Sequence, residues 1–103
     1  MKAIYTDIFE NNIRLTAERW RHIIEREEMI EQESKIKETL LLPDIIKRSN
    51  YDNDVYLYYK FYPSTPVTSK YLVVIAKVTE DDAFILSSFF TDKIKYGETL
   101  WQQ

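Results

Sequence analysis

The sequence predicts an α+β fold, with two N-terminal helices packed on an antiparallel sheet of three to four strands arranged as a meander. Two observations in the pattern carry this reading. From about Thr16 to Leu41 the apolar residues recur at helical spacing, and after Asp52-Asn53-Asp54 the period changes to two. The third is size: 103 residues, 45% of them hydrophobic and 15% aromatic, make one domain (1–103) with enough material for a single core.

Taken in order, "AIYTDIF" alternates loosely and reads as an edge strand, with "ENN" as the turn after it. The stretch "IRLTAERWRHIIEREE" (Ile13–Glu28) opens the first helix, with Thr16 as its N-cap. Trp20, Ile23 and Ile24 form an i, i+3, i+4 stripe toward the core. A second helix is expected from about Met29 to Leu41, burying Ile36 and Leu40, and Pro43 stops it. "PDIIKRS" follows as a short extended connector. "VYLYYKFY" (Val55–Tyr62) is a strand ended by the turn "PSTP". "KYLVVIAKV" (Lys70–Val78) is apolar almost throughout, as befits a central strand covered on both faces. "TEDD" turns the chain, and "AFILSSFF" (Ala83–Phe90) returns antiparallel. Ile94, Leu100 and Trp101 in the tail are placed to complete the core.

Composition excludes several function classes. Without cysteine there is no disulfide framework, thiolate metal site or cysteine nucleophile, and the one histidine leaves a dedicated metal site without its usual ligand set. No metal and no cofactor are expected. A net charge of −3, from 14 Lys+Arg against 17 Asp+Glu, argues against a broad polyanion-binding surface. A small cationic cleft on a mildly acidic body remains compatible with it. The N-terminus lacks the apolar segment of a signal peptide, and the longest apolar run, "YLVVIA", is strand-sized. A soluble, cytoplasmic protein without membrane association is expected. The single glycine, Gly97, leaves little room for a glycine-rich phosphate loop.

Three groups of residues can carry chemistry. Opposite the first helix's apolar stripe fall Arg19, His22 and Arg26, with Glu18 and Glu25 beside them. Two guanidiniums can hold a phosphate while an imidazole moves a proton, or the cluster is simply a solvated helix face. On the strand Val55–Tyr62, alternation puts Tyr56, Tyr58, Lys60 and Tyr62 on one side. That side suits base stacking and phosphate contact, although tyrosine is also an ordinary strand residue. Ser87 and Ser88 interrupt an apolar strand, and Lys77 is the one charge inside the central strand beyond its first residue. Each can face a ligand or serve the sheet's own bonding.

The segments "IRLTAERWRHI", "TLLLPDII", "DVYLYYK", "KYLVVIAKV" and "AFILSSFFTDKIKYG", in that order, resemble a group of small phage- and toxin-associated domains. These belong to the barnase, EndoU, colicin and RelE-like (BECR-fold) nuclease superfamily. The likeness spans about residues 13–101. It implies helices on a four-stranded antiparallel sheet and metal-independent RNA cleavage, in which the ribose 2′-hydroxyl attacks the adjacent phosphate. By position, His22, Lys77, Ser87 and Tyr58 would be the catalytic groups, and Arg19, Arg26 and Lys60 would hold phosphate. The chain departs from that pattern in two places. "EREEM" stands where relatives often carry His-Pro-Glu, and Phe89 replaces a tyrosine.

Two classes of function follow. One is a toxin-like ribonuclease with RNA as substrate and, by resemblance, an antitoxin or inhibitor protein as partner. The other is a catalytically inactive relative that binds RNA or protein, or a structural protein paired as a homodimer through its sheet edge. Convergence of His22, Lys77 and Ser87 on one cleft would favour the first.

Overall fold

The residues that lead into the first helix are themselves a strand. In "NIRL", Ile13 and Leu15 are fully buried while Arg14 between them reaches outward, the signature of period two. The computed structural model describes every residue, Met1–Gln103. Its strands and helices follow in the order β1 (Ala3–Thr6), β2 (Asn12–Leu15), α1 (Ala17–Ile23), α2 (Glu33–Leu41), β3 (Ile45–Arg48), β4 (Val55–Tyr62), β5 (Lys70–Val78), β6 (Ala83–Thr91) and β7 (Thr99–Gln102). All seven strands join one sheet in the order β1-β2-β6-β5-β4-β3-β7.

This corrects the predicted α+β plan of helices on a meander of three to four strands. The fold is mostly β, built on one mixed seven-stranded sheet with two helices. β4, β5 and β6 do form the expected antiparallel meander, and β4 and β5 keep the expected bounds. What widens the sheet is four strands of four residues each. β1 and β2 make an antiparallel hairpin, and β2 then lies parallel to β6 through Arg14 and Phe84. The "PDIIKRS" connector pairs with β4 as β3, and the tail returns as β7 on the outer side of β3.

The first helix is shorter than its apolar stripe suggests. Thr16 caps it as expected, its side-chain oxygen accepting from the Arg19 backbone N–H. After Ile24 the chain leaves the helix through a 3-10 turn at Glu27–Met29, which drives Met29 into the core. α2 therefore starts at Glu33, four positions after the predicted Met29. It buries Ile36, Thr39 and Leu40 and leaves Leu41 and Leu42 exposed.

Both helices cover one face of the sheet. The main core joins Ile23, Met29, Ile36 and Leu40 to Tyr5, Ile13, Leu15, Ile46, Tyr58, Leu72, Val74, Ala76 and Ile85. Each Ile, Leu, Val or Met side chain among these taken out of water is worth roughly 1.5–3 kcal/mol. The other face carries a smaller cluster of Leu57, Tyr59 and Val73, flanked by Ile45, Tyr71, Ile75, Phe89 and Ile94. No helix lies there. Its cover is the β6–β7 connection, which must pass from β6 over β5, β4 and β3 to reach the far edge. Ile94 packs on the small cluster, and the Lys95 backbone N–H donates to the Tyr59 hydroxyl at 3.2 Å. Gly97 then passes so close to β3 that an added Cβ would lie 2.2 Å from the Arg48 carbonyl oxygen. The only glycine stands where no side chain fits.

Candidate binding site

Strand parity decides where the sequence-derived residues point. Tyr56, Tyr58 and Tyr62 belong to the helix-covered side, packed in or against the main core. The predicted tyrosine face is therefore largely interior, which corrects its reading as a stacking surface. Tyr58 is fully buried, and its hydroxyl donates to the Asp7 carboxylate at 2.5 Å. Burial, and next the bond to Asp7, push its pKa far above the ordinary phenol value, so it holds its proton. Lys60 is also committed, its ammonium donating to the Leu42 carbonyl at 2.9 Å just past the end of α2.

Lys77 and Ser87 lie on the opposite side of the sheet, because they share parity with Ile75 and Val73. Lys77 is paired with Asp52 at 3.0 Å. Asp52 is held below the usual carboxylate range, first by the Asp54 backbone N–H and then by Lys77. Ser87 sits half-buried opposite Ile75. Its neighbour Ser88 is buried on the helix side and donates to the Val73 carbonyl at 2.8 Å, so that hydroxyl serves the sheet.

His22 projects from α1 with its side chain 58% exposed, and its ionic neighbour is Glu25 at 3.5 Å. Arg26 turns toward the rim of the helix-free face, its guanidinium 4.8 Å from the centre of the Phe89 ring. Arg19 is half-buried on α1, where its backbone serves the Thr16 cap. Lys77, Ser87 and Arg26 thus approach one face, whereas Tyr58 and Lys60 are turned to the other. No hydrogen bond or ion pair links His22 to Lys77 or Ser87. Among the five surface cavities, none is lined by His22, Arg19, Arg26, Lys77, Ser87 or Tyr58, whereas Lys60 lines one of about 350 Å³ with Ile8, Leu42, Pro43, Trp101 and Gln103. Nor does any group of three or more His, Asp or Glu side chains come together in a form that could hold a metal ion.

A concave surface exists elsewhere. Where the β6–β7 connection crosses the turn between β3 and β4, the two border an open cleft of about 360 Å³ lined by Asn50, Tyr51, Lys93, Ile94, Lys95 and Tyr96. A smaller hollow of about 130 Å³ continues inward over Val55, Leu57 and Ile75. Tyr51 is 97% exposed and Tyr96 is 94% exposed, so both rings are open to a ligand. Asn50 fixes the two walls to each other, its side-chain amide donating to the Tyr96 carbonyl at 3.1 Å.

The electrostatics of this cleft differ from those of the whole chain. No carboxylate lines either cavity. Of the acids nearest in sequence, Asp92 holds Lys70, Glu98 holds Arg48 and Asp52 holds Lys77, while Asp54 in the β3–β4 turn pairs with no cation. Lys93 and Lys95 pair with none. Two uncompensated ammonium groups beside two open aromatic rings make a small cationic, stacking surface on an acidic protein.

Sequence reasoning missed Tyr51, Tyr96, Lys93 and Lys95. They lie outside every periodic segment, and only the fold brings the 50–51 turn against 93–96. The lone Gly97 was the available signal, since it marks a close approach of two backbones. The chain matches no protein-family model, and no curated protein or solved structure matches it significantly. No helix is long and apolar enough to cross a membrane.

Proposed function

We propose that the protein is a non-catalytic binding module that meets a macromolecular partner in the cytoplasm through its helix-free sheet face. One observation carries this reading. A concave surface with two lysines that pair with no carboxylate lies at Tyr51, Lys93, Lys95 and Tyr96, while none of the acid–base candidates His22, Lys77, Ser87 and Tyr58 lines a cavity.

General acid–base catalysis needs groups within hydrogen-bond reach of one reacting atom. Tyr58 is sealed under Asp7 on the far side of the sheet from Lys77, and Lys77 is engaged by Asp52. The missing His-Pro stretch and the phenylalanine at position 89 support the same reading. Arg26 and Ser87 keep to the helix-free face, where they extend the surface available to a partner without composing a nucleophile–base pair.

The test is incubation of a mixed tRNA and mRNA pool with folded protein in EDTA, beside His22→Ala and Lys77→Ala. The expected result is no cleavage by any of the three. Fragments with 2′,3′-cyclic phosphate ends from wild type, lost in either variant, would overturn the proposal and establish the ribonuclease that the resemblance implies.

A further inference from the structure

We propose that the Tyr51–Tyr96 cleft is a nucleotide site. It takes one unpaired base against its tyrosine rings and the attached phosphate on Lys93 and Lys95. The inference rests on the binding-module reading and adds to it a location and a ligand chemistry.

Three features select this class. At about 360 Å³ the cavity is at the small end of ligand pockets, matched to a single base–sugar–phosphate unit and too small for a duplex groove to be read there. Tyr51 and Tyr96 are each more than nine-tenths exposed, and stacking is the interaction that such rings offer. Lys93 and Lys95 supply donors and positive charge with no carboxylate to neutralise them, which calls for an anion. An apolar partner would leave the lysines unused. A purely acidic one would leave the rings unused.

The position is set by the fold and is distinct from the residues that the resemblance singles out. Ile94 is anchored in the Leu57–Tyr59–Val73 cluster, and side chains alternate along an extended stretch. With Ile94 turned inward, Lys93 and Lys95 are left to the cavity wall. The Lys95 backbone bond to Tyr59 and the Asn50 bond to Tyr96 hold that wall in place before any ligand arrives.

The chemistry has two sources, a free mononucleotide or an unpaired stretch of a nucleic-acid strand. Fluorescence anisotropy with a labelled eight-nucleotide single strand, competed by nucleoside monophosphates, separates them. Tyr51→Ala, Tyr96→Ala, Lys93→Gln and Lys95→Gln are the variants. Each tyrosine substitution removes a solvent-exposed side chain, and circular dichroism checks the fold.

Wild type should bind the strand. Each tyrosine variant should weaken binding at least about 5-fold. Each lysine variant should lower the salt slope of log K by about 0.7. Lys37→Gln on α2 should change nothing. Competition by monophosphates at concentrations similar to those of the strand's own nucleotides would assign the free nucleotide, and its absence the strand.

No binding of either probe overturns the site. So does equal binding of an acidic peptide that is indifferent to Tyr51→Ala, since the cleft would then be a bare cation patch. Cleavage of the strand during the titration, abolished by His22→Ala, overturns the binding-module reading instead.

Discussion

The hydroxyl of Tyr58 donates to the carboxylate of Asp7, 51 positions away in sequence, at 2.5 Å, with both side chains buried. That one bond ties the middle of β4 to the loop between β1 and β2. It also removes Tyr58 from any role at the surface. Asp7 accepts in addition from the backbone N–H groups of Phe9 and Asn11 and from the Asn11 side chain. The turn needs this support because Glu10 adopts a positive φ of 70°, a costly conformation for a residue with a side chain.

Tyr58→Phe should therefore destabilise the protein by about 1.5–3 kcal/mol, the range for a hydrogen bond to a carboxylate. Urea unfolding followed by circular dichroism would show a lower midpoint at unchanged slope. A midpoint equal to wild type would mean that the bond contributes nothing.

Gly97→Ala should be costly for a different reason. The new Cβ would meet the Arg48 carbonyl oxygen at 2.2 Å, and that atom belongs to the β3 backbone, so a strand has to move. Because Tyr96 adjoins it, the same change should spoil the cleft as well as the fold. A loss of about 2 kcal/mol or more is expected, at the upper end of ordinary point substitutions. Thermal melts of Gly97→Ala and Gly97→Ser within 1 °C of wild type would refute the crossing.

Thr16→Ala tests the start of α1. It removes the acceptor for the Arg19 N–H and should cost roughly 1 kcal/mol, with Thr16→Ser close to wild type. Equal losses for Ala and Ser would point to packing of the threonine methyl rather than capping.

Acid should weaken the contact between β1 and α2. Glu33 is held below the ordinary carboxylate range, first by the Tyr5 hydroxyl and then by Lys2, which lies 3.1 Å from it. A depressed carboxylate contributes stability above its unfolded value of about 4.3 and loses it as pH falls through the lower folded value. The stability difference between wild type and Glu33→Gln should thus narrow below about pH 4.3. A difference that stays flat from neutral pH down to that region and beyond would remove Glu33 from the account.

Much of the fold was legible where segments are long and strictly periodic. "VYLYYKFY" and "KYLVVIAKV" announce β4 and β5 because eight or nine residues alternate or stay apolar together. The loose alternation of "AIYTDIF" did mark β1 as an edge strand, but β2, β3 and β7 have four residues each, too few for a period to stand out from a helix lead-in, a connector or a tail. "IRL" before Thr16 shows the difficulty. Ile13 and Leu15 fit either reading, and long-range pairing with β6 decides between them. Alternation correctly grouped Tyr56, Tyr58 and Tyr62 but could not say which face the helices would cover. The cleft was the least legible part, since Tyr51 and Tyr96 come from two loops that meet only when the β6–β7 connection crosses the sheet.

The most direct test of the account is amide chemical-shift mapping on ¹⁵N-labelled protein titrated with a short single-stranded oligonucleotide. Recognition at the cleft predicts shifts concentrated at Asn50, Tyr51 and Lys93–Tyr96, with α1 silent. Shifts concentrated instead at Glu18–Glu25, around His22, would contradict it and return the functional surface to the histidine and its helix.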